Sequence, residues 1–490
     1  MSLVRGFQLA LLGIACSTGL VAAPAYGRVV LSTTPGLRPH FRPAATDYVS
    51  RCVPGKPLRV AVNAAGGDRV SVAGRRERGG TFVANVHRHT GEGLSVRVRE
   101  HGGAVKRYHV RCLPQDFPDW TVKRRATPQA QWYVTTPVKP PAGGYVAIFD
   151  SRGTPVWWWR SSSTRDMPWD AKLLDDGLMA WGHNLGTHFG VRKAGAYEER
   201  TLDGRLVRLV RTHGSPTDVH DLQRMPNGDL LTITYRRRDD VDLSAYDGSS
   251  HARVYDGEIQ ELAPSGKLVW RWNSKGHVDP SETGRAWWYN PQGEQPPPEE
   301  RGYDLLHVNS VEPDGTGLIV SARTLNAVFR IDRETGEIDW KLGGSFVPGE
   351  SLTVLGTPPS EPVFGGQHDA RRSRDGTLTV YDNRTNTGGA PVADRFRIDP
   401  VARTARRTEH VEESGVPSSQ WGGSARTLPG GNWVVCWGGT ELITEQTPAG
   451  AVVLSLRLAA NHRSYRAQAL PPGRVSAAEL RRGMDQMASG

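Results

Sequence analysis

Between residues 169 and 439 one short pattern recurs five times, and it decides the class of fold. The segments are WDAKLLDDGLMAWGH, VHDLQRMPNGDLLTITYR, LHVNSVEPDGTGLIVSAR, QHDARRSRDGTLTVYDNR and GGSARTLPGGNWVVCWGG. Each has a polar entry, a short strand, a turn and a second strand. The turns fall at Asp176-Gly177, Asn227-Gly228, Asp314-Gly315, Asp375-Gly376 and Gly430-Gly431. Such pairs tolerate the positive φ of a tight primed turn, so two-residue hairpins are expected. A second hairpin pattern interleaves with the first, as in QELAPSGKLVWRW and VFRIDRETGEIDWKL. Together they make units of four strands. About five complete units and a terminal half, HRSYRAQALPP, imply an all-β propeller of about six blades, closed by joining the two ends of the chain.

The other segments fit around that propeller, expected over residues 121–475. Residues 28–120 carry period-two strands such as LRVAVNA and LSVRVRE between Gly turns, which reads as a small β-sandwich domain. Residues 476–490 remain as a C-terminal tail. Residues 1–27 read as a signal peptide: Arg5, an apolar core, then the small residues APAYG. That core is too short and Gly-rich for a transmembrane span. Cys16 after LGIA leaves a lipid anchor open, although Gly13 stands where such a signal prefers a larger aliphatic residue. A secreted, extracytoplasmic protein is therefore expected. In that compartment Cys52 and Cys112, at the edges of the small domain, should form a disulfide, with a loop-closure contribution of about 4 kcal/mol. Cys436, in an apolar strand, is left as a buried free thiol.

The net charge of +10 over 490 residues is a modest bias. It is compatible with a solvated Arg-rich surface or with anionic small molecules. No basic helix or dense Lys/Arg block points to nucleic acid. The Trp-, Pro- and Glu-rich insertion HVDPSETGRAWWYNPQGEQPPPEERG is long enough to be functional rather than a plain connection.

Three hairpins share a spacing. His220, His307 and His368 each stand eight residues before the turn glycine, and Arg236, Arg323 and Arg384 each stand sixteen residues after their histidine. A turn near the midpoint should place each His–Arg pair at the open end of its hairpin. Equivalent blade ends share one rim, so the three imidazoles should converge on the axis. The matching positions of the other two hairpins are Trp169 and Gly423. A blade-scaffold histidine is one alternative, since repeat propellers use such residues, but a scaffold residue should not stop at three. A zinc or copper site is another; three nearby arginines favour an anion over a bare cation.

At this point the chain resembles the arylsulfate sulfotransferase family, secreted propeller enzymes that move sulfuryl groups between phenols. The likeness rests on DLLHVNSV, SARTLNAVFRIDRETGEIDWKLGG and GGQHDARRSRDGTLTVYDN, in that order and spacing. It implies His368 as the sulfated nucleophile, His307 and Asn309 as sulfate contacts, Arg323 as the sulfate-binding arginine, and His220 as a further catalytic histidine. It implies a phenolic sulfate donor, a phenol acceptor and no nucleotide sulfate donor; no cofactor or metal is expected. A non-catalytic propeller binding an anionic or aromatic ligand, or an aryl sulfatase using water, would carry similar residues. A homodimer is left open.

Overall fold

Four-stranded sheets with one apolar face cannot stand alone, and packing them radially buries every face against a neighbour. A computed structural model describes residues 29–64, 66–139, 143–161, 167–184, 195–283, 302–358, 361–385 and 387–489. The signal peptide, Cys16 and most of the Trp-rich insertion lie outside those residues. The propeller has six blades. Inner strands, taken in order around the axis, are Ala467–Leu470, Met167–Leu173, Thr217–Arg224, Val308–Asp314, His368–Arg372 and Ser424–Thr427.

Both ends of the propeller chain take part in closure. Blade one is built from Trp132–Thr135, Tyr145–Asp150 and Pro155–Arg160, and its inner strand, Ala467–Leu470, comes from the far end of the chain. Blade six, Ser424–Thr427 to Val452–Leu458, gains an outer fifth strand, Trp120–Arg124, from the near end. Opening the ring therefore requires breaking two strand pairs. Between blades the core is apolar: Leu318, Val320, Phe329, Ile331 and Trp181 are wholly buried. Trp157 and Trp158 pack inside blade one, and the Trp157 indole N–H donates to the Leu202 carbonyl.

Ahead of the propeller sits a two-sheet sandwich. One sheet joins Val30–Thr34, Leu58–Ala64 and Gly80–Val86; the other joins Asp47–Ser50, Val105–Cys112, Gly93–Arg99 and Arg69–Val72. Leu58–Ala64 alternates buried and open positions, as a half-buried strand must. The Cys52–Cys112 disulfide is present, and Cys436 is a buried free thiol. Such a bond fits an oxidising, extracytoplasmic compartment. Among the described residues no helix is long and apolar enough to cross a membrane. The C-terminal segment, expected only as a tail, forms a helix over Ala477–Ser489. It buries Leu480, Gly483 and Met484, and Arg481 pairs with Asp47 of the sandwich. A Cβ on Gly483 would stand 2.4 Å from the Leu202 carbonyl oxygen, so the close approach requires glycine.

The turns differ from expectation. Four of the five hairpins close three-residue loops with glycine in third place, as at Pro226-Asn227-Gly228, where the Met225 N–H donates to the Asp229 carbonyl. The blade-four hairpin alone is a two-residue turn: Asp314 pairs with Gly317, and Gly315 takes φ 60°. Its glycine thus comes two places earlier relative to the strand.

Candidate active site

That shift changes which residues are equivalent. On three of the inner strands a polar side chain satisfies the backbone of the next blade. Asp221 accepts from the Val311 N–H, Ser310 from the Ala370 N–H, and Ser424 from the Ala467 N–H. These bonds put Asp221, Ser310 and Ser424 in one layer, and Arg466, through its ion pairs with Asp170 and Asp369, completes it. One residue earlier on each strand lies the layer above: Trp169, His220, Asn309, His368, Gly423 and Tyr465. The turn-based alignment put His307 level with His220 and His368. The structure puts Asn309 there, and His307 two residues upstream, on the entry to the strand, with φ 45°.

The three histidines nevertheless converge. The rings of His220 and His307 meet edge to face at 4.9 Å. Tyr465 stands 5.7 Å from His220 and 6.3 Å from His368, ring centre to ring centre. Arg323 is 5% exposed, its guanidinium donates to the Gln420 carbonyl, and its charge acts on both His307 and His368. Asn309 is fully buried, with its amide nitrogen donating to the Gln367 carbonyl. The other two arginines do not join. Arg236 forms a forked pair with Glu258, and Arg384 lies against Glu361 and Asp382. The register slip explains part of this; the rest is capture by nearby carboxylates.

Each histidine has a fixed ring. His220 Nδ1 lies 2.6 Å from Asp218 Oδ1, and His307 Nδ1 lies 2.7 Å from Asp304 Oδ2. His368 differs, because its partner is neutral. Its Nδ1 lies 2.6 Å from Asn383 Oδ1 and 3.1 Å from the Gly366 carbonyl. Asn383 spends its amide hydrogens on Ser419 Oγ and the Gly422 carbonyl, which fixes its oxygen toward His368. Two acceptors around Nδ1 place the proton there and leave Nε2 with a lone pair. Nε2 accepts from the Gly422 N–H at 3.2 Å.

Charge reinforces the assignment. Burial, followed by the charge of Arg323 and the other two imidazoles, holds His368 well below the usual imidazole range. His307 is also lowered, by burial first, with Asp304 opposing. Burial brings Arg323 down to about 9, so it remains a cation at neutral pH. A neutral imidazole facing a buried guanidinium suits attack on an anionic electrophile. Among the described residues no group of three His, Cys, Asp or Glu side chains could hold a metal ion.

Three contributors were not singled out in the sequence. Asn383, opposite the strand entry, sits beside the hairpin arginine in YDNR. Gly422 precedes the glycine of the upper layer. Tyr465 lies in YRAQ, which repeats the form of HDAR and GSAR and so was detectable as a sixth inner strand. Gly365 is required by close packing, since a Cβ there would stand 2.9 Å from the Arg384 Cα and 2.7 Å from Thr387 Oγ1.

Residues 200–459 match the family model for arylsulfotransferase (ASST). No protein of curated function matches the sequence. Among solved structures the chain is similar to a protein of unknown function from Bacteroides caccae (12% identity, TM-score 0.42, 69% of this chain and 98% of that one). It is also similar to the β-propeller domain of Myceliophteria thermophila Cps50 (Swd1), at 12% identity and TM-score 0.36, over 68% of this chain and 88% of that one. A streptogramin B lyase shares 11% identity with TM-score 0.34, over 74% and 86%. These likenesses are distant and carry no functional weight.

Proposed function

The chain belongs to the arylsulfotransferase family, and from that premise we propose that it transfers a sulfuryl group from a phenolic sulfate ester to a phenol through a sulfohistidine at His368, outside the cytoplasm. The observation that carries this reading is the His368 ring. Nδ1–H is committed to Asn383, and Nε2 is unprotonated beside a buried arginine.

In the first half-reaction Nε2 attacks sulfur. An N–S bond forms, the S–O bond to the aryl group breaks, and its electron pair leaves on the phenolate. The sulfated ring becomes an imidazolium, whose Nδ1–H keeps its bond to Asn383. Negative charge on the sulfuryl oxygens stands against Arg323, as in the loose transition states of phosphoryl transfer. A phenolate with a pKa near 10 or below leaves with little acid assistance. In the second half-reaction the acceptor oxygen attacks sulfur, the N–S bond breaks and neutral His368 returns. The acceptor's proton goes to His220 or His307. Each is oriented by a carboxylate at Nδ1, which frees Nε2 as a base.

The test is rapid quenching with a chromogenic aryl sulfate, followed by mass analysis under non-acidic conditions. A sulfuryl adduct on the His368 peptide is expected, discharged on adding phenol. An adduct on another residue, or none in an enzyme that turns over, rejects the assignment. Discharge by water at the same rate without phenol would make the protein a sulfatase.

A further inference from the structure

Tyr465 is the residue of the upper layer contributed by the closing segment; like Tyr381 it carries a buried hydroxyl without a partner, but only Tyr465 places it beside the His220 and His368 rings. The side chain is 1% exposed, and its oxygen has no hydrogen-bond partner. An unsatisfied buried hydroxyl is costly, and native proteins keep few of them outside functional sites. The ring cannot turn aside to find a partner. It stacks on Trp169 at 4.7 Å and 20°, and the Arg466 guanidinium lies 4.9 Å from its centre. Trp169 in turn stacks on Trp421. The hydroxyl is held among groups that the proposed chemistry uses: the His220 and His368 rings lie to one side, and the Arg323 guanidinium is within electrostatic range. Burial and the nearby carboxylates keep the phenol protonated far above neutral pH, so at working pH it is a donor.

We infer that Tyr465 is a further catalytic residue, whose O–H donates to a sulfuryl oxygen during transfer, opposite Arg323. This rests on the proposed sulfuryl transfer. The orphaned hydroxyl is then a preorganised donor: its unmet bond in the resting enzyme is made when charge builds on the SO3 group. No proton is transferred. The O–H shifts from unpartnered to hydrogen-bonded as the S–O(aryl) bond breaks, and remains so in the sulfohistidine. Backbone pairing supplies the rigidity: the Gly423 N–H donates to the Tyr465 carbonyl, and two residues on, Ala467–Leu470 pairs with Trp132–Thr135.

The experiment is Tyr465→Phe, which keeps the ring and its stacking and removes only the oxygen. Three readouts are taken: the melting temperature of the resting protein, its rise with inorganic sulfate, and kcat/KM for aryl sulfates with leaving groups of different acidity. The inference expects an unchanged or higher resting melting temperature and a reduced sulfate-induced rise. It also expects kcat/KM lower by about 10- to 100-fold and by a similar factor for every leaving group. A fall in resting melting temperature would show the hydroxyl to be structural and overturn the inference. So would an unchanged response to sulfate, or an unchanged kcat/KM. A loss that grows with leaving-group pKa would place the O–H on the ester oxygen and overturn the assignment to the sulfuryl group. If the wild-type protein shows no aryl sulfate turnover, the proposed function fails alone; the sulfate response still decides whether Tyr465 contacts the anion.

Discussion

Neighbouring residues on the same inner strands make two opposite layers. In the upper one, His220, Asn309, His368 and Tyr465 line the site and keep unmet polar atoms: Asn309 Oδ1 and the Tyr465 hydroxyl have no partner, and the His368 Nε2 lone pair is held only by the Gly422 N–H at 3.2 Å. One residue further along, Asp170, Asp221, Asp369 and Arg466 are tied into a closed ionic network with Lys172, Arg371 and Arg426. Burial pushes the Asp221 carboxyl up, but Arg371, Lys172 and Arg466 outweigh it and hold the group well below the carboxylate range. The layers touch through Arg466, which donates to the backbone carbonyls of His220 and Asn309. The lower layer thus positions the upper one. The difference teaches that equal burial has opposite uses: where every polar group is paired it fixes geometry, and where one is left unpaired it stores reactivity.

Several changes would break or sharpen this contrast. The largest effect is expected for His368→Ala, with kcat down by about 10,000-fold or more, roughly 5.5 kcal/mol of barrier. Its stability should fall by only about 1–3 kcal/mol, from the unsatisfied Asn383 oxygen; steady-state assays and urea denaturation read the two numbers. Asp221→Ala should invert the pattern. It leaves Lys172, Arg371 and Arg466 under-compensated at the axis and should cost about 3–5 kcal/mol of stability. If it unfolded nothing yet stopped turnover, the lower layer would have to take part in the chemistry.

Arg323→Met should lower kcat/KM by about 100- to 1,000-fold, as for loss of a donor to a developing oxyanion. It should also raise the acid limb of the pH–rate profile, because Arg323 is one of the cations that depress His368. An acid limb left in place would remove Arg323 from that role. The smallest effect is on stability against pH. His368 and His307 have folded-state pKa values below the unfolded value of about 6.5. Their contribution is complete above about pH 6.5 and declines as pH falls below it, since the unfolded imidazoles take protons first. Unfolding free energies from urea denaturation should be lower at pH 5 than at pH 7 by about 1–2 kcal/mol. His368→Ala should reduce that slope.

The sequence by itself determined the repeat. Apolar alternation and Gly turns are local properties, and six four-stranded units have one economical way to bury their faces, so the propeller and its shared closure were legible. Hairpin spacing also grouped His220, His307 and His368, but it grouped Arg236 and Arg384 with Arg323 on equal terms; only the family resemblance singled out Arg323 and Asn309. Which residues occupy equivalent places was decided only by the tertiary structure. A single shortened turn at Gly315 moves the ladder by two residues, and turn length cannot be read from an Asp-Gly pair that suits both a two- and a three-residue loop. The fates of Arg236 and Arg384 depend on carboxylates of neighbouring strands, and the neutral tautomer of His368 depends on Asn383 and on burial from several blades. Tyr465 reaches the site only because the chain's end returns to close the ring. Spacing along a strand is fixed by covalent geometry; a side chain's unpaired state is fixed by everything packed around it.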